Sequence, residues 1–524
     1  MFEYFQENVA NDPDKIAVID KKGEISYKDL HKQVIQLSNW MLKMNVQRGD
    51  LVACQLPNWN EFVVVYLACT RIGAVFNPIP ITMRKAELKD ILALCEPKLI
   101  FIADRFRNHH FINMLEQIEQ EMEIPTVVVV RDSRANNKSQ LTYFRFEELL
   151  LNSESDSLFE LNVSGDDPAV ILFSSGTESV PKGIVHTHNT ILCSERSLIE
   201  VLHLTENDRV LMASPISHAT GFYRGVNLPL LIGATTILME RFSAEGALKL
   251  ISEEKCTFSM GATPFLYDIV HEMRTNRDKY NLETFRFFLC GGAPIPRKLA
   301  YEALDYGLRV LPVYGTTESS PHVVGRIEAS LKMNIEFDGK VIPEIEVKIV
   351  DEHRNEVPDG TVGEEASRGP NVFIGYFKRP DLTEMYFDNE GWYYSGDLCV
   401  LENGYLRVVG RKKEIIIRGG QNISPAEVEE ILLTHPKIEK VAIVGVPNER
   451  LGEQAHAVVV PTEGETLTFK EMIDFLDQKE IAKYKFPEYL HFVDDLPTTS
   501  SGKIQKYKLQ DLIKNNQLER MVEK

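Results

Sequence analysis

Long apolar runs are missing from this chain. The richest stretches, such as residues 62–68 and Thr126–Val130, are too short to span a bilayer. Integral membrane association is therefore not expected. Positive charge is also in short supply. Lys and Arg number 58 against 77 Asp and Glu, a net charge of −19 over 524 residues. This balance argues against nucleic acid as a partner and against a polybasic membrane binder, since both need net positive surface. An anionic substrate must then meet a local cluster of cations or a metal. Cysteine is sparse and unpatterned: Cys54, Cys69, Cys95, Cys193, Cys256, Cys290 and Cys399 are an odd seven with no C-x-x-C pair. Most sit in apolar stretches, so buried free thiols in a reducing compartment are expected. The opening Met1-Phe2-Glu3-Tyr4-Phe5-Gln6-Glu7 carries acid and lacks the basic and apolar regions of a signal peptide. The closing Met521-Val522-Glu523-Lys524 matches no peroxisomal address or lipidation motif. The expected location is cytoplasmic. Short repeats and long low-complexity tracts are absent as well.

What is present is an ordinary globular composition, 44% hydrophobic and 26% charged. The length predicts several domains, or one large domain with an appendage. Leu51–Gln55, Leu99–Ala103, Thr126–Val130 and residues 209–213 read as strands. Asn60–Ile72 reads as a helix, with Phe62, Val65, Tyr66, Cys69 and Ile72 near one face, and residues 73–76 turn back into a strand. Alternating strands and helices imply an α/β fold of helix-covered sheets. The character changes after Gly410. Residues 413–418 read as a β-branched strand ending at Gly419-Gly420. Ser424-Pro425-Ala426-Glu427 reads as a capping box with proline at the first helical position. Val428, Ile431 and Leu432 give that helix an apolar face, and Pro436 limits its end. Strands over 441–446, 455–460 and 490–493, with a helix over 469–476, complete a small α+β unit of about 110 residues. The expected division is 1–411 and 412–524.

One stretch stands out chemically. The apolar strand Ala169-Val170-Ile171-Leu172-Phe173 runs into Ser174-Ser175-Gly176-Thr177-Glu178-Ser179-Val180-Pro181-Lys182-Gly183. Small residues let backbone N–H groups face an anion, hydroxyls add donors, and a lysine neutralises charge. This suits a nucleoside triphosphate. It is no Walker A loop, because Ile184-Val185-His186 reads as a strand where that motif needs a helix. Alone, the segment reads equally as a solvated hairpin loop. Tyr314-Gly315-Thr316-Thr317-Glu318 follows the apolar residues 310–313. It offers a flat ring for a base and oxygen ligands for phosphate or Mg²⁺. In Gly391-Trp392-Tyr393-Tyr394-Ser395-Gly396-Asp397 an acid follows a tight glycine turn, where it could accept ribose hydroxyls or merely cap the turn. Gly410-Arg411-Lys412-Lys413 and Pro497-Thr498-Thr499-Ser500-Ser501-Gly502-Lys503-Ile504 close the series. Each is modest by itself.

In this order and spacing the five motifs resemble the acyl-adenylate-forming superfamily of acyl-CoA synthetases, adenylation domains and luciferases. The resemblance runs from about Pro13 to about Leu512. Ser217-His218-Ala219-Thr220-Gly221-Phe222, Gly261-Ala262-Thr263-Pro264-Phe265, Phe288-Leu289-Cys290-Gly291-Gly292 and Ser367-Arg368-Gly369-Pro370-Asn371-Val372-Phe373 carry a further likeness. It is to bacterial short- and medium-chain fatty acyl-CoA synthetases and cyclohexanecarboxylate-CoA ligases. Two positions depart from the superfamily: Ser179 stands where the loop usually has glycine, and Glu178 where many relatives have threonine.

The resemblance implies ATP, Mg²⁺ and coenzyme A as reactants. It implies an acyl-AMP intermediate and a small carboxylate as the other partner. By resemblance, Ser174, Ser175, Gly176, Thr177, Glu178 and Lys182 wrap the β- and γ-phosphates. Tyr314 stacks on adenine, and Gly315, Thr316, Gly292, Ala293 and Pro294 also belong to the cofactor-binding set. Thr317 meets the α-phosphate, and Glu318 binds Mg²⁺ with the Ser174 hydroxyl. Asp397 and Arg411 hold the ribose, and Lys503 bridges carboxylate and α-phosphate. His218 gates an acyl pocket drawn from Phe222, Tyr223, Gly261, Thr263 and Gly291. Lys413 matches the hinge on which a mobile C-terminal domain turns, bringing Gly419 and Gly420 to the pantetheine tunnel. No acid lies in 215–221 to pair with an α-ammonium, which disfavours amino acids. Arg224 is expected at the surface or on a helix, and it leaves a second substrate carboxylate open. Two alternatives are a stand-alone acyl- or aryl-AMP ligase that loads a carrier protein and a silent nucleotide-binding regulator. Lys182, Glu318, Asp397, Arg411 and Lys503 together argue against the second. A homo-oligomer stays open.

Overall fold

The computed structural model describes residues 1–132, 141–153, 162–174, 182–293, 295–499 and 502–518. Two large sheets dominate the described residues. The first has eight strands, with Leu51–Gln55, Val75–Pro78, Leu99–Ala103, Thr126–Val130, Tyr143–Arg145 and Pro168–Ser174 mutually parallel. Lys182–Thr187 adds antiparallel beside Pro168–Ser174, and Gly375–Tyr376 adds antiparallel beside that. The second has thirteen strands. Its parallel centre is Val310–Thr316, Phe287–Gly291, Phe258–Gly261, Arg209–Met212, Thr235–Leu238 and Ile16–Asp20. Beyond Val310–Thr316 the pairing turns antiparallel. It runs through Ser320–Val324 and Lys340–Val341 to Tyr405–Arg411, Tyr393–Glu402, Gly363–Arg368 and Glu346–Val350.

The helix Asn60–Ile72 has the bounds its sequence predicts, but every one of its residues is buried rather than one face. It touches Leu51–Gln55 and Val75–Pro78 of one sheet and Ile16–Asp20 of the other. A helix packed between two sheets has no solvent side, which fits its run Phe62-Val63-Val64-Val65. All seven cysteines are buried and free. Among the described residues, no helix is long and apolar enough to cross a membrane.

A separate sheet starts after Tyr405–Arg411. It contains Ile416–Arg418, Gln421–Ile423, Ile438–Asn448, Gly452–Pro461 and, in parallel, Tyr489–Phe492. It packs on its own buried clusters, one centred on Val428, Leu432, Met472 and Leu476, the other on Val444, Val458, Leu509 and Ile513. On this ground we propose the division at 411/412. Two local expectations are corrected here. Residues 412–414 form a short 3₁₀ turn, so the strand expected over 413–418 begins only at Ile416. The capping box at Ser424 does not form. Its hydroxyl donates to the Val409 carbonyl at 2.7 Å, tying the helix Pro425–Leu432 to the last strand of the larger unit. Glu427, the other half of the expected box, is held by Lys485 at 2.7 Å.

Candidate active site

Three neighbouring parallel strands end together: Phe258–Gly261, Phe287–Gly291 and Val310–Thr316. Ligands of open α/β sheets bind outside such carboxyl ends. Here glycines let backbone approach backbone. A Cβ on Gly291 would lie 2.3 Å from the Val313 carbonyl oxygen, and one on Gly315 2.4 Å from that of Ser320. Gly261 is hemmed by the rings of Phe265 and Phe288.

Tyr314 and Thr316 are strand residues, not part of a polar turn; the turn starts at Thr317. The Tyr314 phenol donates to Asp397 Oδ2 at 3.0 Å, and the Arg411 Nε donates to Asp397 Oδ1 at 2.9 Å. Asp397 is buried, and burial raises its pKa above the usual carboxylate value. Arg411 is exposed, and the Asp397 carboxylate raises its pKa. The glycine before Asp397 kinks a continuous strand, Tyr393–Glu402, at φ 75 instead of closing a turn.

Lys503 arrives from the other unit, bonded back to Thr499. Its backbone N–H donates to Thr499 Oγ1 at 3.1 Å, and its carbonyl accepts from Thr499 N at 2.8 Å. Gly502 stands at φ 86, and a Cβ there would fall 3.1 Å from the Ala262 Cβ. A side chain there would press on Ala262 and Pro264 at the start of the helix Thr263–Asn276, in a backbone conformation that favours glycine. The Lys503 Cε is 3.6 Å from where a Gly292 Cβ would stand. Burial lowers the Lys503 pKa, the Arg411 charge adds to this, and the Asp397 and Glu318 carboxylates oppose it. His218 is within reach of the same charge: burial first, then Lys503, push its pKa down to about 4. Its imidazole is therefore neutral near pH 7, and its Nδ1 accepts from the Thr220 N–H at 3.4 Å.

Glu318 Oε1 accepts from the Tyr376 phenol at 3.0 Å. The Lys182 Nζ lies over the rings of Tyr376 and Tyr386, at 5.9 and 5.5 Å from their centroids. The carbonyl of Thr317 accepts from His186 Nε2 at 2.8 Å. A carbonyl has no proton to give, so Nε2 carries the hydrogen and Nδ1 accepts from the Thr190 hydroxyl at 2.9 Å. His186 is fully buried, and burial pushes its pKa down to about 4.

Among the residues expected to line an acyl pocket, Thr263 Oγ1 donates to the Ala293 carbonyl at 3.2 Å. Tyr223 is buried with its ring edge-on to His186, centroids 5.9 Å apart. Phe222 packs away into the core against Tyr66 and Phe76. Arg224 is on a helix, one of its two expected placements, and not at the surface. It lies in the π-helical segment Phe222–Asn227, fully buried, and is paired with the buried Glu195. A buried guanidinium needs an acid partner, and Glu195 supplies it. Burial raises the Glu195 pKa to about 7, with Arg224 opposing.

Tyr314, Asp397, Arg411, Lys503, His218, Gly292, Thr317 and Glu318 thus share one region. Gly419 and Gly420 do not join it; they form the exposed turn between Ile416–Arg418 and Gln421–Ile423. Lys413 is exposed in the 3₁₀ turn. Ser175, Gly176, Thr177, Glu178 and Pro294 lie outside the described residues, and Ser174 is described by its backbone, which pairs with Lys182. Sequence reasoning missed His186 and Tyr376 as site residues. A period-2 reading would have found the first, because Lys182, Ile184 and His186 share one face of a strand.

A sequence profile described as AMP-binding enzyme matches residues 5–377, and one described as AMP-binding enzyme C-terminal domain matches residues 427–503. The chain is 43% identical over 511 residues to the medium-chain fatty-acid–CoA ligase of Escherichia coli (strain K12), covering 97% of this chain and 89% of that one. ATP-bound MatB from Rhodopseudomonas palustris superposes with a TM-score of 0.88 at 27% identity, covering 98% of this chain and 99% of that one. The apo form of the same protein, with equal identity and coverage, superposes with a TM-score of 0.76.

Proposed function

The chain belongs to the AMP-binding enzyme family and is an ATP-dependent acyl-CoA ligase, and we propose the residue roles and the acid that follow. A carboxylate is a poor electrophile. Attack of its oxygen on the α-phosphate of ATP releases pyrophosphate and forms acyl-AMP, whose carbonyl has a good leaving group. Attack by the thiol of CoA then forms the thioester and releases AMP. The first step brings anions together, so catalysis is mostly positioning and charge neutralisation.

The observation that carries the reading is the placing of Lys503 beside Gly292, within electrostatic range of Arg411, Asp397 and Glu318 of the larger unit. In that position the ammonium can bridge substrate carboxylate and α-phosphate. The arrangement is nearer in overall superposition to an ATP-bound relative than to its apo form. Tyr314 and Arg411 orient Asp397 for the ribose hydroxyls. Neutral His218 presents a polar edge beside the acyl carboxylate without adding charge. His186 holds the Thr317 carbonyl and so fixes the turn carrying Thr317 and Glu318.

Magnesium fits the residues present. Among the described residues, no three His, Cys, Asp or Glu side chains group as a metal site. Mg²⁺ instead takes one or two carboxylates plus substrate phosphates, and Glu318 is a hard oxygen ligand at the turn. When bound, the ion would supply charge neutralisation for the triphosphate. Ser174, Ser175, Gly176, Thr177, Glu178 and Lys182 are proposed to wrap that triphosphate, and Gly419 and Gly420 to line the thiol's path once the smaller unit has turned.

The acid is proposed to be a neutral short- or medium-chain carboxylate, alicyclic ones included. Tyr223, Gly261, Thr263 and Gly291 offer small or apolar surface. Arg224 is fully buried and paired with Glu195, which makes it a poor partner for a second carboxylate. Each buried CH₂ is worth about 0.8 kcal/mol, roughly fourfold in efficiency. Assayed by AMP release with ATP and CoA, efficiency should climb from acetate into the medium-chain range and then level off. A clear preference for acetate, an amino acid or a dicarboxylate would refute the assignment. A carrier protein as acceptor gains no support from these observations.

A further inference from the structure

Lys182–Thr187 and Gly375–Tyr376 pair antiparallel, with Ile184 opposite Tyr376. This register sets the Tyr376 ring beside Lys182, whose Nζ sits between it and Tyr386 at 5.9 and 5.5 Å from the centroids. Ring faces within about 6 Å attract a cation. The hydroxyl of the same tyrosine donates to Glu318 Oε1 at 3.0 Å. Two backbone bonds brace the joint: Phe373 N donates to the Glu318 carbonyl at 2.7 Å, and Tyr376 N donates to Thr383 Oγ1 at 2.9 Å. One side chain therefore contacts both the lysine on the phosphate-binding strand and the acid on the opposite turn.

We propose that Tyr376 is a positioning residue for the metal–triphosphate, acting through Glu318 with its hydroxyl and through Lys182 with its ring. The proposal rests on the reading of Glu318 as magnesium ligand and Lys182 as phosphate ligand. A carboxylate with one oxygen held by a phenol presents the other in a fixed direction. Partners of this kind commonly change metal affinity by about tenfold or more. A lysine held between two rings has already given up much of its rotamer freedom before phosphate arrives, which is preorganisation.

Calorimetric titration of ATP, with Mg²⁺ and with the metal removed, tests this on the full chain. Tyr376→Phe keeps the ring and loses the hydroxyl. It should weaken binding with Mg²⁺ by about tenfold and leave metal-free ATP binding unchanged. Tyr376→Leu loses both, and should weaken metal-free binding by a further threefold or so. In pyrophosphate exchange by Tyr376→Phe, the half-saturating Mg²⁺ concentration should rise while the KM for the acid stays put. Equal weakening with and without metal in Tyr376→Phe, or no weakening in either, overturns the proposal. Glu318→Gln separates the two levels. If it weakens Mg²⁺-dependent binding and Tyr376→Phe does not, the positioning role alone fails. If neither does, the reading of Glu318 fails and the proposal with it. Should Tyr376→Leu not fold, Tyr376→Phe decides alone, because it preserves volume and packing.

Discussion

Burial sets the charge states at the centre of this site. His186 and His218 are both held near pKa 4, so each is neutral at neutral pH, while Lys503 keeps two carboxylates in range. For His186 the sign of the pH effect is clear. Its folded pKa is depressed from 6.5 to about 4, so the unfolded chain binds more protons between those values. Stability present above pH 6.5 is then lost as pH falls toward 4, by about 3 kcal/mol for this one fully buried ring. His186→Asn should be less stable near neutrality but lose less between about pH 7 and about pH 4.5. Melting temperatures at the two values check this; an unchanged difference would place the acid sensitivity elsewhere. At this scale the sequence was informative where chemistry comes in motifs. Lys503, Asp397, Arg411 and Glu318 could be nominated from the sequence because each sits in a short glycine- or hydroxyl-rich string. His186, Tyr376 and the Glu195–Arg224 pair were not, because only strand register and helix packing bring their partners together.

At the scale of elements, local pattern served well for buried strands and poorly around the junction of the two units. Leu51–Gln55, Leu99–Ala103 and Thr126–Val130 have the bounds their apolar runs imply. The helix Asn60–Ile72 was legible as a helix but not as one enclosed on every side, since enclosure depends on a second sheet distant in sequence. Past Arg411, tertiary contacts override local signals: Ser424 gives its hydroxyl to Val409, not to its own helix, and Lys413 lies in a 3₁₀ turn. That turn is the proposed hinge. Proline at Lys413 would fix φ and remove an N–H. Lys413→Pro should keep pyrophosphate exchange within roughly tenfold, about 1.4 kcal/mol of barrier, while acyl-CoA synthesis falls much further. Unchanged overall turnover in a folded variant would move the hinge elsewhere.

Among the described residues, the contacts between the smaller unit and the larger include scattered polar ones and a close apolar touch. Arg297 pairs with Glu430 at 3.0 Å between half-exposed side chains, and the Lys440 Nζ lies 6.0 Å from the Tyr267 ring centroid. Gly502 packs on Ala262 and Pro264. Exposed ion pairs of this kind contribute little, typically under about 1 kcal/mol each. Such an interface can be left and re-formed, as a site serving two successive reactions requires. The thirteen-strand pairing behind the site was beyond sequence reading, because it joins segments hundreds of residues apart. The central claim is that this arrangement puts Lys503 where carboxylate meets α-phosphate, and that thioester formation does not need it there. Lys503→Ala tests it most directly, by pyrophosphate exchange and, separately, by thioester formation from supplied acyl-AMP and CoA. The account expects exchange to fall by orders of magnitude and the second reaction to stay within about tenfold. Equal losses in the two would contradict it.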